Sequence, residues 1–273
     1  LKEGPLKPGR LAPALPVFIG FIFFFSVFTS MKEMIPGISP YHWDQSFADI
    51  DRILHFGIDP WRILHAALGN AYVTWTINIV YNFWLLAMFL VLYWQLFSLK
   101  DRVTRMQFFY AFILSWAVNG TLLATLLSSV GPCFLELYNG NAYFHPLMDS
   151  LRQMNEEIKL WALVNQEWLW GAAAEKKNMI GGGISAMPSV HVVVAFLYML
   201  LALKLDLRIK PLYVAFFIAI LIGSVHLGWH YAIDGYVAIA TTWIVWIGSG
   251  WLVRHVMAFS NQKTMNYEGE QNA

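Results

Sequence analysis

The chain has 273 residues, of which 58% are hydrophobic and only 13% charged, about half the charged share of an ordinary soluble domain. A formal net charge of +1 leaves no basic footprint for nucleic acid. The single cysteine, Cys133, excludes an intrachain disulfide and any multi-cysteine metal site. This composition defines the class to test first, an integral membrane protein.

Lys2, Lys7 and Arg10 precede an apolar stretch, 15–28, with no small-residue cleavage site, which reads as a retained anchor. A bilayer core needs roughly 20 apolar residues per helix. Six segments meet or approach that: 14–30, 71–97, 108–130, 188–203, 211–227 and 232–253. They predict an all-α integral membrane fold, a six-transmembrane helix bundle. Basic loops orient it. Lys100, Arg102 and Arg105 follow the second span, and Lys204, Arg208 and Lys210 follow the fourth. Both chain ends are basic too, so all four regions, with the N- and C-termini, fall on the cytoplasmic side. Residues 31–70, 131–187 and 228–231 then face outside. Two outer stretches, "FADIDRILHFGIDPWRILHAAL" and "LMDSLRQMNEEIKLWAL", alternate apolar and charged residues at helical spacing, as amphipathic outer-face helices do. The chain reads as one membrane domain, 1–273: an N-terminal span and interfacial helix (1–70), spans two and three (71–130), an outer loop (131–187), spans four to six (188–255) and a cytoplasmic tail (256–273).

Chemistry concentrates at two span mouths. In "SAMPSVHVVV", 185–194, Pro188 suits a first helical turn, which starts span four there and puts Ser189 and His191 in that turn. Free N–H groups and the helix dipole favour an anion at such a place. The preceding "GGGIS" lets backbone approach a phosphate closely. In "GSVHLGWHYAIDGYVA", 223–238, His230 and Asp234 are four residues apart. With span six beginning near Trp229 they share a face and can hydrogen-bond. A carboxylate on one imidazole nitrogen fixes the tautomer and raises the basicity of the other, as a histidine nucleophile needs. His191, on the same outer face, can serve as proton donor and acceptor. His42, His55, His65, His145 and His255 have no partner by spacing and read as structural. A zinc site of His226, His230 and Asp234 is the alternative use of the second segment.

"PSVH" ahead of an apolar helix, then "HLGWHYAID" one span later, resembles the type 2 phosphatidic acid phosphatase superfamily. The resemblance covers the second half of the chain. It implies that His230 forms a phosphohistidine, that Asp234 orients it, that His191 is the acid/base, and that no metal or other cofactor takes part. The departures lie in the basic ligands. The family's Ser-Arg pair is Gly223–Ser224 here, and its Lys and Arg-Pro overlay Ala124 and Gly131–Pro132. Val190 stands where the family has glycine. These losses resemble the inositol phosphorylceramide synthase and sphingomyelin synthase branch, whose members move a phospho-headgroup between lipids. "DPW" at 59–61 is similar to bacterial relatives of that branch and implies an inner (plasma) membrane, on whose outer side the loop charges place the site.

The expected phosphate ligands are therefore Ser185, Ser189 and His226, with Lys176, Lys177 or Arg152 replacing the missing cations, because a dianionic phosphate needs neutralisation. The expected partners are the bilayer and a lipid phosphoester substrate. Hydrolysis of a lipid phosphate or isoprenoid diphosphate stays open beside headgroup transfer, and so does a non-catalytic lipid-binding or transport protein.

Overall fold

The computed structural model describes residues 8–98, 101–175 and 183–271, with side chains between 18 and 258. Among the described residues every regular element is helical. Four helical stretches are long and apolar enough to cross a membrane: Phe18–Ile38, Ala71–Phe97, Arg102–Leu126 and Ala232–Ala258. The chain is a multi-pass integral membrane protein. Two shorter apolar helices, Val190–Lys204 and Lys210–His226, complete the bundle.

In chain order, α1 (Pro8–Ile38) is followed by two short helices, α2 (Asp44–Leu54) and α3 (Pro60–Leu68), and then by α4 (Ala71–Phe97). Asp59 and Pro60 begin α3, with proline at a position whose N–H needs no partner. Asn70 caps α4 by accepting from Tyr72 N at 3.0 Å. Asp101 caps α5 (Arg102–Ala117), accepting the N–H and hydroxyl of Thr104. A π-helical stretch, Val118–Leu123, and a last turn, α6 (Ala124–Leu126), continue α5. The stretch between α6 and the next apolar helix carries α7 (Leu135–Asn139), α8 (His145–Glu157) and α9 (Trp161–Ala174). It is followed by α10 (Val190–Lys204), α11 (Lys210–His226) and α12 (Ala232–Gln271).

The short α10 is apolar on every side because it is the middle of the bundle. It packs on α5, α11, α12 and α4, and Val192 to Ala195, Leu197 and Leu201 are fully buried. A helix hydrophobic all round belongs there. By contrast α1 holds the bundle along one seam only. Phe21, Phe25 and Phe28 meet Phe112 and Trp116 edge to face, Phe28 and Trp116 with ring centroids 4.5 Å apart. Gly120, in the π-helical stretch, admits that seam, since a Cβ there would lie 2.5 Å from the Phe28 ring.

Several boundaries differ from the sequence reading. Span four starts at Val190 rather than Pro188, because Ser189 is the N-cap, its Oγ accepting from Val192 N. The third span begins at Arg102, drawn back by the Asp101 cap, and ends at Leu126. The stretch read as a tail from 256 continues α12 to Gln271. The second amphipathic stretch is two helices, broken where the Asn155 side chain accepts from Leu160 N at 2.8 Å. On α2, Asp44, Phe47, Ala48 and Asp51 face inward, while Ile53 and Leu54, and Phe56 beyond its end, lie outside.

Candidate active site

Three loops meet where α10 and α12 begin. Gly131, at φ +91°, lies so close to the other two that a Cβ on it would be 2.8 Å from Trp229 O and 3.1 Å from the Ala186 Cβ. Cys133 N donates to Gly228 O at 2.9 Å, and Ala186 N donates to Ser129 O at 3.0 Å. Ser189 N reaches Asp234 O at 3.3 Å, so the starts of α10 and α12 are joined directly.

His230 precedes α12 instead of lying within it, and it meets Asp234 all the same. Its Nδ1–H donates to Asp234 Oδ2 at 3.1 Å, and the same oxygen accepts from Tyr231 N at 3.1 Å. Asp234, in the first turn of α12, thus closes back on the residue before the helix as an N-terminal capping side chain does. The carboxylate is fully buried, and its Oδ1 has no partner. The His191 ring stands edge-on to His230, with centroids 6.0 Å apart and planes at 63°. His191 is held between Tyr81, stacked at 4.7 Å, and Trp84 at 4.2 Å. Trp229 lies parallel to Tyr81 inside the site.

Two carboxylates from α2 fix the His230 loop. Asp51 accepts from Ala232 N at 2.7 Å and Ile233 N at 2.8 Å, so it caps α12 from outside. Asp44 accepts from Val130 N, Gly131 N and the Tyr231 hydroxyl, the last at 2.9 Å. Burial pushes both carboxyls up, Asp51 to about 6, against the pull of these donors. A cavity of about 10 Å³, the size of one water, lies among Asp51, Asp59, Pro132, His230 and Tyr231.

The other expected ligands are placed variously. Ser189 is buried at the N-cap of α10. The Ser185 hydroxyl is buried with no hydrogen-bond partner. His226 faces away from His230, donating its Nε2–H to Thr74 Oγ1 at 2.8 Å, with its ring 4.4 Å from that of His65. His65 in turn donates to His226 O at 2.9 Å, and burial lowers its pKa. Arg152 is on the exposed side of α8, paired with Asp149 at 2.8 Å. Lys176 and Lys177 lie outside the described residues. His42, His55, His145 and His255 each bond a neighbouring group.

The lost basic residues have local reasons. Gly131 stands where the resembled family has arginine, and the Trp229 carbonyl closes that direction to any side chain. At Gly223 a Cβ would meet Tyr81 and Ile77 at 3.0 and 3.1 Å. Ser224 is fully buried, with its hydroxyl donated to Leu221 O at 2.8 Å. Tyr81, Trp84, Asp44 and Asp51 have no local signature that would mark them in the sequence.

Fold and site together define a multi-pass membrane protein with a buried histidine–aspartate pair, faced by a second histidine, at the mouth of its bundle. A family model for the PAP2 superfamily matches residues 45–248, most of the chain, and the chain belongs to that superfamily of phosphatases and phosphotransferases. No curated protein and no solved structure matches it.

Proposed function

We propose that the chain is a six-span enzyme of a bacterial plasma membrane, with both termini cytoplasmic and the His230 site outside, that transfers a phospho-headgroup between lipids. The observation that carries this reading is the His230–Asp234 bond, 3.1 Å, with the His191 ring edge-on to His230. In the reaction His230 Nε2 attacks phosphorus while the bond from phosphorus to the leaving oxygen breaks. His191 gives that oxygen its proton. Asp234 holds the Nδ1–H and balances the positive charge that develops on the ring. In the second half His191 takes the proton of an acceptor hydroxyl, whose oxygen attacks phosphorus as the phosphorus–nitrogen bond breaks. Ser185 and Ser189 line the phosphate side. Transfer is preferred to hydrolysis because the basic ligands suited to a dianionic monoester are absent, and a phosphodiester carries one negative charge. Room for an acyl chain supports a lipid substrate: an apolar cleft of about 360 Å³ opens between α1 and the α5–α6 stretch, lined by Phe24, Phe28, Leu122 and Leu126.

The test is acid-labile, alkali-stable labelling of the solubilised protein by a lipid carrying ³²P in its phosphodiester, with and without an alcohol acceptor. Label on His230 and a new phospholipid in the presence of acceptor are expected. Wild-type turnover by His230→Asn would overturn the mechanism.

A further inference from the structure

One half-buried ammonium, Lys32, is not used by the histidine chemistry. Phe21, Phe25, Phe28, Lys32 and Ile35 follow one another at spacings of four and three, the inward seam of α1. The phenylalanines on this seam pack on Phe112 and Trp116, and Ile35 is 1% exposed. Lys32 is thus an ammonium on the packed face of an apolar span, where an ionisable group is costly without a task. Among the described residues it has neither an ion pair nor a hydrogen bond.

Its surroundings are those of the candidate site. A Cβ on Gly183 would lie 3.1 Å from Lys32 Cγ and 3.0 Å from its carbonyl carbon. Lys32 therefore sits against the loop that leads to Ser185, Ser189 and His191. It is also near enough for its charge to act on the His191 ring. Donors without partners cluster nearby, among them the buried Ser185 hydroxyl and the Tyr81 hydroxyl, whose ring stacks on His191.

We infer that Lys32 binds the substrate phosphate, supplying from the first span the cation that Gly131 and Ser224 do not. This rests on the phosphoryl-transfer reading, and it assigns the charge to a segment that lies outside the matched family region, 45–248. An anion beside His191 and His230 gains a charge-assisted bond from the ammonium, while Ser185 and the N-terminus of α10 supply neutral donors.

The probe is tungstate, a tetrahedral dianion that needs no covalent step, titrated against the detergent-solubilised full chain. Lys32→Met weakens tungstate binding about tenfold to a hundredfold, the range for losing a hydrogen bond to a charged group. Lys32→Arg keeps most of the affinity, and His230→Asn still binds. Lys32→Cys gives a second route, because Cys133, the chain's other thiol, is buried. Aminoethylation of that variant rebuilds an ammonium on folded protein and restores binding, whereas methylthiolation does not. Equal affinity in wild type and Lys32→Met, or failure of aminoethylation to restore binding, overturns the inference. Either result leaves ³²P labelling of His230 to be judged separately. Absence of that label would overturn the phosphohistidine reading while Lys32-dependent tungstate binding stood.

Discussion

Replacing Asp234 by asparagine separates charge from geometry. One carboxylate oxygen, Oδ2, accepts from both His230 and Tyr231 N, each at 3.1 Å, while Oδ1 is buried without a partner. An asparagine carbonyl in the Oδ2 position keeps both bonds, and with them the tautomer that leaves His230 Nε2 unprotonated. The flipped amide would aim N–H groups at two donors and is disfavoured. The variant therefore loses the negative charge beside the imidazole and little else. Two unit charges about 4 Å apart interact by about 4 kcal/mol at an effective dielectric of about 20. That converts to a fall in kcat of about a thousandfold, at about 1.4 kcal/mol per factor of ten. Asp234→Ala, which also releases the tautomer, falls about tenfold further. The assay is turnover of labelled phospholipid by solubilised variants, with thermal unfolding to establish that each is folded. A kcat for Asp234→Asn within about tenfold of wild type would refute a role through charge on His230.

Restoring arginine at position 131 inactivates the enzyme, because φ is +91° there and a Cβ meets Trp229 O at 2.8 Å. Strain of about 1–3 kcal/mol from the backbone conformation, with the clash added, lowers the melting temperature, and a gain in turnover would contradict this account. Asp51 keeps its proton in the fold up to a pH of about 6, against 3.8 for an ordinary aspartate. The native state therefore binds more protons between those values, and the contribution of Asp51 to stability falls by about 3 kcal/mol as pH rises through them. Melting curves of wild type and Asp51→Asn should diverge over that window, and parallel curves would dismiss the shift. Phe56 is 98% exposed beside Ile53 at 77%, a surface suited to lipid. Phe56→Trp in vesicles should emit at short wavelength and be quenched by brominated acyl chains, whereas water-like emission would place this tip outside the bilayer.

The two histidine segments were legible because their meaning is local. A proline at the start of an apolar helix, and a histidine four residues from an aspartate, each specify a turn whatever surrounds them, although the helix begins two residues after Pro188. The second span was legible from the apolar residues that fill its length, 71–97. By contrast, the orientation of α2 could not be read. A helix with an apolar face and an acidic face has the same periodicity whichever side is inward, and here the acidic residues bind backbone N–H groups of the His230 and Gly131 loops. Those donors are exposed only when the loops are assembled. Lys32 is invisible for a related reason: its neighbours Gly183 and His191 come from a segment 150 residues away. Span six starts at Ala232, as its apolar stretch implied, and not near Trp229 as a shared helix face would need; His230 and Asp234 still meet, because a first-turn side chain can reach back beyond the helix.

The charge pattern around the three loops is the common thread. Asp44 and Asp51 are spent on backbone donors, and Asp234 on His230, so each carboxylate near the site is already engaged in holding it. Trp229 O closes the space above Gly131, and the Ser224 hydroxyl is turned back to its own helix. A site built this way gives an incoming phosphate few cations and several fixed negative groups. Under the proposed reading such a balance suits a singly charged phosphodiester better than a dianion, because one ammonium from α1 then neutralises the group that His230 attacks. Under that reading, the loss of arginine at 131 and 224 and a preference for transfer over hydrolysis have one physical origin: the close packing of Gly131 and Ser224 against the loop and helix that position the nucleophile.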